Sequence, residues 1–281
     1  MRILSAAALL LLLLSATPAS ATPCDKLSGA EQKVARKLFK GVHPHDCCDE
    51  TLDRCLKAKK VCRLAHRLRD DICRRTKKGE EPKQIKAALA RRVKSMVNLG
   101  KRARFSLKGL HPAGNPDGPV QVIVYACARC PYCRKVVPEL YNLVTSGPLK
   151  GQIALYFRPF PIRGHAGSME GGLGFIVAQS WSKLWPYVLE TYKGFDHFSA
   201  AALPRWGAAV GIPAAEFKKG MKESLARSIL VATKKEGLRN GVDATPTIFI
   251  NGRKYYGELE REVLADVLGE AVDRAEKRIY E

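Results

Sequence analysis

After its first fourteen residues the sequence has no apolar run long enough to cross a bilayer, so no internal membrane-spanning helix is expected. It has no Cys-x-x-Cys-His, so covalent haem attachment is not suggested, and no standard zinc spacing. No internal repeat is evident, and the only low-complexity tract is the leucine run near the start. Acidic residues are scarce: 27 Asp and Glu stand against 48 Lys and Arg, for a net charge of +21. The imbalance is uneven. Residues 24–118 carry 25 basic against 11 acidic side chains, and residues 119–281 carry 22 against 16. No nucleic-acid-reading motif accompanies this charge, so nucleic acid is not an expected partner. A basic surface of this kind suits an acidic protein or an anionic membrane surface, or is simply solvated.

What is present begins with Met1-Arg2, the apolar run Ile3–Leu14 and the small-x-small site Ala19-Ser20-Ala21. These read as a secretory signal peptide over residues 1–21, and so as periplasmic or secreted localisation. Pro23 stands before Cys24, so lipidation is not expected. Export leads to an oxidising compartment, where disulfides persist. Of the nine cysteines, Cys24, Cys47, Cys48, Cys55, Cys62 and Cys73 precede residue 74. Cys127, Cys130 and Cys133 form a separate group.

Residues 22–100 read as a small basic helical module. Helices are expected over Ser28–Gly41, Asp49–Lys59, Lys60–Thr76 and from Pro82 to about Asn98. Its apolar positions are few, so staples are needed. The six early cysteines are expected to form structural disulfides, with fifteen pairings open. Cys48, Cys55 and Cys62 recur every seven residues and could share one helical face, with Cys73 within reach of one of them. The rival is metal binding, prompted by His43-Pro44-His45-Asp46-Cys47-Cys48, but without a standard spacing no metal is expected. Residues 101–118 are rich in Gly and Pro and read as a linker, with Arg104–Leu107 as a candidate first edge strand.

From Pro119 onward strands and helices alternate around a large helical block. Val120–Tyr125 is an expected buried strand, and Pro131–Val144 a helix containing Pro138. Gln152–Pro159 is a second strand, about 165–240 a helical block, and Thr247–Ile250 a strand. Asn251-Gly252 is a hairpin turn signal, Lys254–Tyr256 the partner strand and Leu259–Glu276 a closing helix. This order indicates an α/β domain. At the first strand-to-helix junction lies Cys127-Ala128-Arg129-Cys130-Pro131-Tyr132-Cys133. A thiol at a helix N-terminus faces unpaired N–H groups and the positive end of the dipole, which favour the thiolate that attacks disulfides. Arg129 and Arg134 flank the site and could favour it further.

The segments GNPDGPVQVIVYACARCPYCRKVVPEL and GVDATPTIFINGRKYYGEL resemble the DsbA-like branch of the thioredoxin superfamily, as do FPIRGH and LWPY between them. The resemblance spans about residues 101–281. It implies a thioredoxin-like fold with an inserted helical domain over about 165–240, preceded here by the disulfide-stapled all-α module. It also implies that Cys130 and Cys133 are the catalytic dithiol and that Pro246 is a cis-proline facing them. Thr245, Pro246, Pro131 and Tyr132 would then meet the substrate. Two departures stand out. Val124 occupies the place of a buried carboxylate common in such proteins, and Cys127 stands where many have aspartate. Cys127 reads as a buried reduced cysteine; a regulatory disulfide partner or a third ligand in C-x-x-C-x-x-C are its other possible roles. A segment of the module faintly resembles the helical domain of CcmH-type cytochrome c maturation proteins, and nothing is carried over from it.

The expected function is thiol–disulfide exchange on cysteines of exported proteins, through a mixed disulfide at Cys130. No cofactor is expected beyond the redox-active Cys130–Cys133 disulfide. A redox partner, which can be membrane-bound, would complete the cycle. With no histidine between the two cysteines, a milder oxidant than the strongest DsbA-like sites is expected. The alternatives are an isomerase or reductase of the DsbC and DsbG layout, or a non-enzymatic module that binds peptides or a partner.

Overall fold

A computed structural model describes residues 21–97 and 101–280. The signal peptide expected over residues 1–21 therefore lies outside the described residues, apart from Ala21. The central strand is β2 (Val120–Ala126), whose apolar run from Val122 onward is buried on both faces, as in a strand covered on each side. It pairs in parallel with β3 (Ile153–Pro159), and the crossover between them is α5 (Pro131–Thr145). On its other side β2 pairs antiparallel with β4 (Thr247–Ile250), with Tyr125 opposite Thr247. The short strands β1 (Ala113–Gly114) and β5 (Arg253–Lys254) form the edges, giving the order β1-β3-β2-β4-β5. Asn251 and Gly252 have φ of 48° and 79°, so the tight turn into β5 uses the residue types that tolerate positive φ.

Between β3 and β4 the helical block comprises α6 (Ser168–Ser180), α7 (Leu184–Lys193), α8 (Ala202–Ala209), α9 (Ala214–Lys222) and α10 (Ser224–Arg239). The chain closes with α11 (Arg261–Ala275). This is a thioredoxin-like α/β fold with a helical insertion, preceded by a disulfide-bonded helical region. The expected edge strand at Arg104–Leu107 does not form. Ala103 donates one backbone bond to Gly252, and Ser106 turns its N–H to the Glu236 side chain instead of to a ladder. The edge strand falls at Ala113–Gly114.

The module contains α1 (Gly29–Phe39), α2 (Leu52–Cys55), α3 (Arg63–Lys77) and α4 (Pro82–Val97). Ser28 caps α1 and forms a capping box with Glu31. The disulfides are Cys24–Cys73, Cys47–Cys62 and Cys48–Cys55. The helix expected over Asp49–Lys59 is therefore one turn. Seven residues of continuous helix would hold two Cα atoms about 10 Å apart, whereas those of Cys48 and Cys55 lie 6.2 Å apart. Cys48, Cys55 and Cys62 do not share a helical face, and Cys73 reaches Cys24 rather than one of them. By the chain-entropy argument a loop of this length contributes about 4 kcal/mol when closed.

α3 buries Leu64, Leu68 and Ile72 on one stripe and presents Arg63, Arg67 and Arg74 on another. α11 likewise has two occupied faces. Val263, Leu264, Val267, Leu268 and Ala271 enter the domain core, and Asp266, Glu270 and Asp273 meet the module. Arg67 lies 2.8 Å from Asp273, Arg74 pairs with Asp266, and fully buried Arg92 lies 3.0 Å from Glu270 and 3.7 Å from Asp71. His45 reaches Glu270 at 2.7 Å. Burial alone would raise the Glu270 pKa, but Arg92, with His45 and Arg274, brings it down to about 2. Part of the module's positive charge is thus met by the chain's own last helix.

Replacing Arg92 with Met leaves Glu270 and Asp71 buried without their shared cation. A loss of about 3–5 kcal/mol is expected, measured by urea denaturation; a loss below about 1 kcal/mol would refute the importance of the pair. The sign with pH follows from the depressed Glu270 pKa. Its contribution is complete above the ordinary glutamate range and is lost as pH falls through about 2.

Candidate active site

The site is built where β2 ends. Cys127 follows the strand, a turn closes through the Cys130 N–H to the Cys127 carbonyl, and α5 begins at Pro131. Proline suits that first helical position because its missing N–H would have no helical partner there. Cys130 is the N-cap, and Cys133 lies inside the first turn, fully buried. The antiparallel register of β2 with β4, continued two residues past Tyr125 and Thr247, brings Thr245 beside this turn. The Thr245–Pro246 peptide is cis, and the Thr245 carbonyl lies 3.1 Å from Cys130 Sγ. Pro131 and Tyr132 are exposed, Tyr132 at 69%. The structure thus brings Cys130, Cys133, Thr245, Pro246, Pro131 and Tyr132 together, more than a hundred residues apart in the chain.

All three cysteines here are free thiols. Their environments differ sharply. The hydrogen bond from Cys133 lowers the Cys130 pKa most; burial opposes it, and backbone N–H groups of the first turn add to it. The result is about 5. In the thiol form Cys130 can donate to the Thr245 carbonyl, but the donors that favour the thiolate outweigh that acceptor. Burial pushes Cys133 well above its usual value, and its hydrogen bond to Cys130 pushes further the same way. One sulfur is prepared to carry charge and the other to hold a proton.

Cys127 is buried as well, and burial raises its pKa. Its Sγ lies 3.5 Å from His165 Nδ1 and accepts from the Arg129 N–H at 3.4 Å. Its carbonyl accepts from the buried Tyr192 hydroxyl. Among the described residues no group of three or more His, Cys, Asp or Glu side chains is arranged to hold a metal ion. Above this turn α6 comes so close that a Cβ on Gly171 would sit 2.4 Å from the Ala128 Cβ, so only glycine fits.

Arg129 and Arg134 make their direct contacts away from the Cys130 sulfur. Arg129 donates to the Phe195 carbonyl at 2.8 Å, and its guanidinium sits over the rings of Phe195 and Phe198. Arg134 makes a two-pronged pair with Asp196, both contacts at 2.7 Å. Both therefore anchor the segment Phe195–Phe198, while the largest contribution to the acidity of Cys130 is the hydrogen bond from Cys133. Sequence reasoning missed this anchor, and it missed His165 as a neighbour of Cys127. The FPIRGH segment carried that histidine in plain view. The place of the missing carboxylate, Val124, is fully buried apolar core. A buried carboxylate does exist on the other face of the sheet: Glu236 accepts from the Tyr125 hydroxyl at 2.7 Å and pairs with Arg158 at 2.7 Å.

A family model described as thioredoxin matches residues 106–270. The chain belongs to the thioredoxin family. Its curated relatives include the Na(+)/H(+) antiporter NhaA 1 of Mycolicibacterium gilvum, 23% identical over 151 residues. That match covers 52% of this chain and 24% of the antiporter. NhaA 3 of Salinispora tropica is 22% identical over 169 residues, covering 60% of this chain and 26% of that protein. The chain thus spans about a quarter of the length of the curated relatives it matches. Among solved structures, a thioredoxin-like oxidoreductase from Silicibacter pomeroyi shares 24% identity at a TM-score of 0.50, covering 60% of this chain and 94% of that one. BdbD from Bacillus subtilis aligns at 0.51 with 17% identity, covering 63% and 97%. Alpha-DsbA1 from Wolbachia pipientis aligns at 0.53 with 18% identity, covering 62% and 96%. These likenesses share the fold.

The unequal pair makes a direct prediction. Alkylation of Cys130 by iodoacetamide in the reduced protein is expected to titrate with a midpoint near pH 5, with Cys133 unreactive through neutral pH. Cys133→Ala removes the strongest donor, and the midpoint is expected to rise by about one unit or more. An unchanged midpoint would show that the thiol–thiol bond does not set the acidity. Reduced-protein stability should follow the same proton. The thiolate's contribution is complete above the ordinary cysteine range and is lost as pH falls through about 5.

Proposed function

We infer that this chain is an exported thiol–disulfide oxidoreductase that acts on cysteines of other extracytoplasmic proteins through Cys130 and Cys133. The opposite pKa shifts of the two thiols carry the reading. In the oxidised state a substrate thiolate attacks Cys130 Sγ. The Cys130–Cys133 bond breaks, a mixed disulfide forms, and Cys133 leaves with the electron pair and takes up a proton, as its raised pKa favours. The substrate's second thiolate then attacks its own sulfur in the mixed disulfide. Cys130 leaves as a thiolate, and two electrons have passed from the substrate dithiol to the protein. A thiol of low pKa leaves faster, so an acidic Cys130 supports the oxidase direction over the reductase direction.

Tyr132, Pro131 and the Thr245–Pro246 loop frame the exposed approach to Cys130 and are the proposed substrate contacts. Three disulfides in the module support an oxidising compartment, and with it a periplasmic or secreted location. The module packs on α11 by buried ion pairs, so the isomerase layout in which a module joins two chains gains no support from this arrangement.

Cys133→Ser cannot resolve a mixed disulfide. Expressed with its natural substrates, it is expected to accumulate adducts at Cys130 that dithiothreitol releases and that Cys130→Ser lacks. If Cys133→Ser traps nothing, the exchange reading fails. The reduction potential is expected to be less oxidising than about −120 mV, because a Cys130 pKa of about 5 lies between those of the strongest oxidants and of thioredoxin. Equilibration with glutathione buffers measures it.

A further inference from the structure

The ion pairs that join the module to α11 leave a remainder of positive charge, and six cations of it gather around one cavity. Lys101, Arg102 and Arg104 come from the segment after the module, Arg239 from the end of α10, and Arg253 and Lys254 from β5. All line a cavity of about 610 Å³. Among the described residues one carboxylate reaches its wall, Glu236, and that group is already held by Arg158 and by the Ser106 N–H. Lys254 reaches Asp243 at 3.2 Å, and Arg253 donates to the Met96 carbonyl at 2.5 Å. Among the described residues, Lys101, Arg102, Arg104 and Arg239 have no carboxylate within ion-pair distance.

The module interface differs. Arg63, Arg67, Arg74, Arg75 and Arg92 at the module interface each have a carboxylate partner. Four of the cavity's six cations have no such partner among the described residues. Burial, then Arg102 and Arg274, lowers the pKa of Arg253, and the opposing pull of Asp46 does not cancel it. A second cavity of about 220 Å³ shares Arg102 and Arg253 with the first and adds Arg274. An anion placed here would relieve repulsion that the protein itself compensates only in part, through Asp243 at Lys254 and Asp46 near Arg253.

We propose that this cavity binds a multiply charged phosphoryl anion. Its volume falls in the range of small-ligand sites, roughly 300–1,000 Å³, which a folded acidic protein cannot enter. Four of its six cations are arginines, whose planar forks pair two-pronged with phosphate oxygens. A polyphosphate puts more charge into such a volume than the carboxylates of a peptide can. The group can come from a free anion or from a lipid headgroup. The site does not include the dithiol, so the proposal stands apart from the redox function.

Sodium tripolyphosphate titrated into the full chain by calorimetry is expected to bind saturably, and more weakly as salt is raised. The triple variant Arg102→Gln, Arg104→Gln, Arg239→Gln is expected to lose about tenfold or more in affinity. All three side chains are exposed. Circular dichroism should show an intact fold, and reduction of the Cys130–Cys133 disulfide by dithiothreitol should be unchanged. Co-sedimentation with phosphatidylcholine vesicles containing cardiolipin, blocked by tripolyphosphate and lost in the variant, would assign the anion to a headgroup. Saturable tripolyphosphate binding without vesicle binding would assign it to a free ligand. No saturable binding, equal affinity in the variant, or tighter binding of a polyglutamate peptide would overturn the proposal.

Discussion

Two thiols three residues apart cannot share their protons evenly when one caps a helix and the other lies inside its first turn. Charge on Cys133 would have to survive without water, whereas charge on Cys130 is met by the Cys133 S–H and by backbone N–H groups that have no other partner. The elements around the site enforce that asymmetry. The end of β2 delivers the turn, and Pro131 starts α5 directly after Cys130. The register of β4 brings Thr245 and Pro246 against the sulfur, and α6 packs down where Gly171 lets it meet Ala128. What buries Cys133 also keeps its proton in place, and that proton is the strongest donor to Cys130.

The module is fixed to this domain by a different kind of constraint. Buried charges that lack partners are costly, so an interface built from them tolerates few alternative placements. The stripe of arginines on α3 and the stripe of acids on α11 match in one arrangement. The C-terminal segment reinforces it. The Arg63 N–H donates to the Ile279 carbonyl, Cys62 and Tyr280 form a bridge, and the Tyr280 hydroxyl reaches the Cys47 carbonyl. Well-packed apolar residues could hold the two parts together as strongly. The ionic version specifies orientation, and it gives the module's basic charge a place inside the molecule.

Much of the domain was legible because its signals are local. The apolar run of β2, the Asn251-Gly252 turn and the Cys130-x-x-Cys133 junction are each contained in a few residues. The module was less legible because its backbone follows its disulfides. A seven-residue cysteine spacing fits a helix on paper, but the Cys48–Cys55 bond forbids one, and only three dimensions show that Cys73 lies by Cys24. Charge was the hardest to place. Arg129 and Arg134 look like neighbours of a thiolate, yet the Phe195–Phe198 segment, some sixty residues later, takes both. The acids that answer α3 lie about two hundred residues beyond it, and no period in the sequence links the two stripes.

The third thiol of the site can be understood on the same terms as the other two. A cysteine competes as a nucleophile in proportion to its thiolate fraction, moderated by its intrinsic reactivity. Cys127 is buried at the strand end, its pKa is raised, and its position is set by the Arg129 N–H and by Tyr192 through its carbonyl. It therefore sits close to a reactive sulfur without becoming one. An aspartate at that place would have to be charged or protonated in the same dry surroundings, and its proton would couple to the thiols of Cys130 and Cys133. A neutral Cys127 leaves the ionisation of the site to Cys130 alone. Of three neighbouring buried cysteines one is then acidic, and the difference follows from the donors that reach Cys130, the Cys133 S–H first among them.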